Sequence, residues 1–113
     1  MDEGTREKPV ITSIEFQSSL IHVMEEGLER FGYFQTNRYL DIIEREVLDL
    51  RSTYSYYPEC HHLTTKTRMY RNIILDSHLI IYRICEERIE VLDIIHAASS
   101  ISRIRQTRKI HIE

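Results

Sequence analysis

The apolar positions of this chain change rhythm twice. Val10, Ile11, Ile14 and Phe16 roughly alternate with polar residues, which predicts a first strand over Val10 to Phe16. Ser18 or Ser19 then offers an N-cap, and Leu20, Met24, Leu28 and Phe31 recur at spacings of four, four and three, the mark of one helical face. Gly32 is placed to end that helix. A second helix is predicted from about Thr36, with Leu40, Ile43, Val47, Leu50 and Tyr54 on one stripe, the strongest helical signal in the chain. The link from Gly32 to Gln35 is short, so the helices should form an antiparallel hairpin, and Pro58 should stop the second one.

Beyond a polar loop over residues 59–67 the rhythm becomes that of strands. Runs rich in Ile, Leu, Val and Tyr fall near Arg68–Leu75, His78–Cys85 and Arg88–Ile95, divided by the short polar breaks Asp76-Ser77 and Glu86-Glu87. This spacing predicts a three-stranded antiparallel meander. Ser99 or Ser100 can cap a last helix carrying Ile101 and Ile104, and Ile110 to Ile112 reads as an extended tail. The fold class is therefore α+β, in the order β-α-α-β-β-β-α, with a helix hairpin packed on an antiparallel sheet. Residues 1–9 are expected to be a flexible N-terminus and residues 10–113 a single domain.

Composition narrows the setting. No stretch approaches the ~20 apolar residues needed to cross a bilayer, and no charged-then-apolar leader opens the chain, so a soluble, cytoplasmic protein with no membrane partner is expected. Cys60 lies in the polar loop and Cys85 in a strand pattern; reduced thiols are expected rather than a secreted disulfide scaffold. The net charge of −3 conceals an asymmetry. Up to Leu50 eleven acids face five cations, and after it seven acids face ten cations. That is either an electrostatic polarity from helices to sheet or the mixed charge of an ordinary solvated surface.

The segments His78-Leu-Ile-Ile-Tyr-Arg-Ile84 and Ile89-Glu-Val-Leu-Asp-Ile-Ile-His96-Ala-Ala98, with a helix hairpin ending at Tyr57-Pro58, resemble the RelE/ParE toxin superfamily of type II toxin–antitoxin systems. The likeness spans residues 10 to about 105. It implies one of two activities. The RelE branch resembles ribosome-dependent mRNA endonucleases, whose basic residues stabilise the scissile phosphate and help deprotonate the ribose hydroxyl. The ParE branch inhibits DNA gyrase and lacks that basic set. Here Arg71 could stand at the first of two expected lysine positions, but the second falls on Ile73. The arginine of the next strand falls on Leu79, the later arginine near Ala98, and the tyrosine of the last helix near Ile104. Apolar groups neither transfer protons nor neutralise phosphate. The resemblance thus implies a ParE-like toxin of a plasmid-stabilisation system that binds gyrase without chemistry of its own and is neutralised by a cognate ParD-like antitoxin. An mRNA endonuclease acting at the ribosome and a non-toxic member that only binds antitoxin are the rival readings.

Individual residues carry these readings with different force. Arg71 and His96 are the candidates for catalysis, and the alternative for His96 is a strand cap. Arg68 and Arg71 lie three apart, on opposite faces of a strand, with Arg71 the better partner-facing cation. Arg103, Arg105, Arg108 and Lys109 crowd the terminal helix and are the candidate target-binding set; the helix dipole offers a structural reason for them instead. Phe34, Tyr39 and Ile42 lie off the main stripe and are candidates for an antitoxin groove. Cys60, His61 and His62 lack a second pair at zinc spacing, so no metal or other cofactor is expected. Tyr54, Tyr56, Tyr57 and Tyr70 are read as packing between helix and sheet rather than a nucleotide-stacking platform.

Overall fold

The computed structural model describes residues 6–113. Strand β1 (Val10–Thr12) leads into helices α1 (Ile14–Phe31) and α2 (Tyr33–Thr53), then strands β2 (Tyr70–Ile74), β3 (His78–Ile84) and β4 (Ile89–His96), and last α3 (Ile101–Gln106) with a 3-10 turn over Thr107–Lys109. The order is the expected β-α-α-β-β-β-α. The sheet runs β1-β4-β3-β2, and it is mixed rather than wholly antiparallel. The meander strands pair antiparallel, whereas β1 lies parallel to β4 with Val10 opposite Ile89. The long connection between β1 and β4, through the hairpin and the meander, leaves room for this parallel pairing.

The first strand is shorter than its apolar pattern suggested, because Ser13 intervenes. Its hydroxyl accepts the Phe16 N–H at 2.8 Å and donates to the Leu92 carbonyl at 2.6 Å. Ser13 rather than Ser18 or Ser19 is therefore the N-cap, and Phe16 belongs to the helix. Of the expected flexible lead-in, Met1 to Thr5 lie outside the described residues, while Arg6 to Pro9 are anchored. Lys8 N–H donates to the Arg51 carbonyl and its Nζ to the Cys85 carbonyl, Tyr54 donates to the Arg6 carbonyl, and Ile89 N–H to the Pro9 carbonyl.

Two apolar layers sandwich the sheet. On one side Phe16 and Val23 of α1 and Ile43, Val47, Leu50 and Tyr54 at the α2 side meet Ile73, Ile80, Tyr82, Ile89, Val91 and Ile94. On the other, Cys60, Leu63, Tyr70 and Ile104 meet Ile81, Leu92 and Ile95, with Ile110 and Ile112 of the tail packed against them. The α2 stripe is buried as its spacing predicts from Ile43 to Tyr54, with Leu40 only partly so. In α1 the predicted stripe is offset: Phe16 and Val23 are buried, Leu20 only partly, and Leu28 and Phe31 are exposed. The helix rests on β4 along one edge of its apolar surface and turns the remainder outward.

The hairpin closes through Gly32 alone, which ends α1 and begins α2. Its φ of 84° and ψ of 179° lie where only glycine is at ease. Gly27 permits close contact of the helices, because a Cβ there would come within 2.8 Å of Thr36 Oγ1. Nothing lies within 4 Å of the place a Gly32 Cβ would take, so substitution there acts on the backbone alone. Gly32→Ala is expected to lower stability by about 1–3 kcal/mol, measured by urea unfolding, while far-UV circular dichroism of the folded state stays unchanged.

Candidate functional site

Three regions of the surface carry the residues singled out in the sequence. The first is the sheet face remote from the hairpin, where cleavage chemistry would need free cations. There Arg83 and Glu90 are cross-strand partners, and Arg83 Nη2 meets Glu90 Oε1 at 2.6 Å while Arg88 Nη2 meets Oε2 at 2.7 Å. Burial pushes the Glu90 carboxyl up, but hydrogen bonds and charge from Arg83 and Arg88 outweigh it and hold the group below the usual carboxylate range. The remaining guanidinium donors bind the tail: Arg83 Nη2 the Ile110 carbonyl at 3.0 Å, and Arg88 Nη2 the Ile112 carbonyl at 2.7 Å. These cations clamp the tail over the sheet. Sequence reasoning missed this triad, although its alternation across the second hairpin (Arg83, Arg88, Glu90) was visible.

The cations it did single out are mostly engaged. Arg71 donates to the carbonyls of Arg68 at 2.7 Å, Tyr57 at 2.9 Å and Ser55 at 3.2 Å, which makes it a strut for the loop after α2 rather than a partner-facing charge. Arg68, with φ of 55°, sits 3.6 Å from Glu59. Arg103 binds the buried Asp93 carboxylate at 2.9 Å. Arg105, Arg108 and Lys109 are exposed and carry no ion pair among the described residues. Only Ile104 of the terminal helix is buried; Ile101, expected beside it, is exposed. Of the tyrosines, Tyr54 and Tyr70 are buried and Tyr56 is exposed. Tyr57 packs edge-on to Tyr82, and burial together with its hydrogen bond to Glu46 pushes its phenol up to about 12. Cys60 is buried, and among the described residues no three His, Cys, Asp or Glu side chains are placed to hold a metal.

The second region lies where the hairpin tip meets the β2–β3 turn. His78 and His96 face each other across β3 and β4, with rings stacked at 4.8 Å between centroids. His78 Nδ1 lies 2.8 Å from the Tyr39 hydroxyl. His96 is exposed, with Nε2 3.6 Å from Glu26. Arg30 is engaged by the same Glu26 at 3.4 Å. These side chains border a cavity of about 400 Å³, which also takes in Tyr39 and Ile42 of the expected antitoxin groove. Phe34 lies apart from it, exposed and edge-on to Tyr33.

The third region is an apolar groove of about 540 Å³ between α1 and α2, with Leu20, Ile21, Met24, Leu40 and Leu48 on its walls. Sequence reasoning assigned Leu20, Met24 and Leu40 to the core stripe. The large exposure of Leu48, at 61%, distinguishes groove from core, and spacing alone does not encode it.

The helix hairpin on a mixed four-stranded sheet, with the buried acids of the remote face each held by arginine, defines a small α+β protein of β-α-α-β-β-β-α order. The chain belongs to the ParE toxin family: the model of that family, the ParE toxin of type II toxin-antitoxin system, parDE, matches residues 10–101. A chain of the solved chromosomal ParDE TA system from P. aeruginosa has a similar fold, with a TM-score of 0.66 at 12% identity, covering 80% of this chain and 97% of that one. No curated protein matches the chain.

The histidine pair makes stability depend on pH. Burial, and then the neighbouring His96, hold the His78 imidazole below its ordinary pKa, with Glu26 pulling weakly the other way. The unfolded chain takes up this proton first. The contribution is complete above about pH 6.5 and is lost as pH falls toward the folded-state value. The melting temperature should therefore drop between about pH 7 and pH 5, and a His78→Gln variant should show a flatter profile across that window.

Proposed function

We propose that this chain is the toxin of a cytoplasmic toxin–antitoxin pair, that it acts by binding DNA gyrase rather than by cutting RNA, and that an antitoxin segment silences it from the hairpin groove. The observation that carries this reading is the fate of the cations. Arg83 and Arg88 are tied to Glu90, Arg103 to Asp93 and Arg71 to backbone carbonyls. Phosphoryl transfer needs cations aimed at the developing charge, and these are directed inward. The exposed positive groups left on the C-terminal segment, Arg105, Arg108 and Lys109, suit an acidic protein surface.

Induction in a bacterium should stop growth with a change in plasmid supercoiling and no ribosome-associated mRNA cleavage. The triple variant Arg105→Glu, Arg108→Glu, Lys109→Glu should restore growth while its melting temperature stays within a few degrees of the parent. Cleaved mRNA would overturn the gyrase assignment, and unchanged growth on inducing the parent would favour a member that retains antitoxin binding alone.

The groove supports the antitoxin part. Its walls are mostly aliphatic, with Glu44 the one acidic side chain among them, so an amphipathic helix with apolar anchors and a basic residue at that edge fits it. Leu48→Asp should leave the fold intact and weaken binding of the cognate antitoxin about 30-fold by titration calorimetry, the scale of losing one interface anchor.

A further inference from the structure

The exposed cations of the C-terminal segment, Arg105, Arg108 and Lys109, sit on one continuous helical stretch, α3 followed by the 3-10 turn. Gln106 and Thr107, at the join, keep helical dihedrals, with φ of −65° and −62°. Spacings of three and four therefore place the cations on one side, but only while the stretch stays wound. A helix of six residues does not hold itself. Its order has to come from outside.

Upstream that order comes from the core. Ile104 and Thr107 are buried, the Thr107 hydroxyl donates to the Ile104 carbonyl at 2.7 Å, and Arg103 holds Asp93. Downstream the polar ties are of one kind. Arg83 Nη1 donates to the Arg108 carbonyl at 3.4 Å and Nη2 to that of Ile110 at 3.0 Å. Arg88 Nη2 donates to the Ile112 carbonyl at 2.7 Å and Nη1 to that of Glu113 at 3.2 Å. Among the described residues the tail makes no backbone hydrogen bond to the sheet; the Ile110 N–H returns to the Thr107 carbonyl within the turn. Carbonyls at a helix C-terminus lack partners of their own, and here two guanidiniums of the β3–β4 hairpin supply them. Glu90 sets their direction, with Oε1 taking Nε and Nη2 of Arg83 and Oε2 taking Nε and Nη2 of Arg88.

We propose that Arg83 and Arg88, aimed by Glu90, are positioning residues for partner binding: their grip on the tail keeps Arg105, Arg108 and Lys109 in one array that an acidic protein surface can meet. This role rests on the target-binding function proposed for those three cations. With the grip lost the turn frays, the wound state becomes a minor population, and apparent affinity falls by that fraction.

The test compares the full chain with its Arg88→Gln and Arg88→Lys variants. Arg83 keeps its hold on Glu90 in both, so the sheet amides and the melting temperature should stay near those of the parent. The Ile110 amide should exchange with deuterium about tenfold faster in both, and the dissociation constant for purified DNA gyrase should rise by about the same factor. Lysine keeps the charge but lacks the fork that serves Glu90 and two carbonyls at once. Arg88→Lys should therefore bind as weakly as Arg88→Gln while keeping the parent's salt dependence, because the three cations remain. Ile112→Ser loosens the tail without touching a charge and should produce the same pair of changes. Unaltered Ile110 exchange in Arg88→Gln, or parent-like gyrase binding by a variant whose tail has loosened, overturns the proposal and leaves the gyrase assignment standing. Failure of the parent chain to bind gyrase overturns that assignment, and the positioning role with it.

Discussion

Strand β4 must satisfy apolar layers on both of its faces, and the rest of the molecule is arranged around how it does so. Its pairing with β3 runs regularly to Ile81 opposite Asp93 and resumes with Tyr82 opposite Val91, so Leu92 is an extra residue in the ladder. The bulge reverses the in–out parity of everything that follows. Val91 and Ile94 thereby both join the hairpin-side core, while Leu92 and Ile95 join the remote one. Two other elements, α1 and α3, are fastened at the same spot. The Leu92 carbonyl receives the Ser13 hydroxyl that caps α1, Asp93 accepts the Ile94 N–H, and its second oxygen holds Arg103 of α3. The parity change also brings His96 to the hairpin side, where it meets His78 and Glu26.

This bulge explains which parts of the fold could be read in advance. The α2 stripe was legible because one helix face is buried along its length and nothing interrupts the period. The meander was legible because its turns are two residues long, closed by Leu75 N–H to the His78 carbonyl and Cys85 N–H to the Arg88 carbonyl. The bulge was not, since an unbroken run such as Val91, Leu92, Ile94, Ile95 gives no alternation from which to see a skipped pair. The same limit hid the start of α1, where Ile14 and Phe16 mimic a strand although Ile14 is 81% exposed. Arg71 misled for a different reason: the carbonyls it binds belong to a loop whose path no local pattern specifies.

Charge is sorted by depth as well as by sequence half. Glu90 and Asp93, the buried acids of β4, are matched by Arg83 with Arg88 and by Arg103, so neither buried carboxylate of the remote core is left without a cation. The hairpin exterior keeps Glu15, Glu25, Glu29, Asp41, Glu44 and Asp49, all exposed, while the cations of the last helical turns face solvent. A molecule so polarised approaches an acidic surface tail-first and a basic one hairpin-first, with a steering effect that salt diminishes.

The outer side of β2 shows one more economy of the chain. This strand is the sheet's edge, yet Cys60 N–H bonds to the Tyr70 carbonyl and Asn72 N–H to the Pro58 carbonyl, so the loop after α2 occupies much of its open margin. The opposite margin, β1, is three residues long. Neither rim offers a neighbouring copy a long unpaired backbone to zip onto. A protein synthesised in excess of its binding partner is thereby shielded from polymerising through its own sheet.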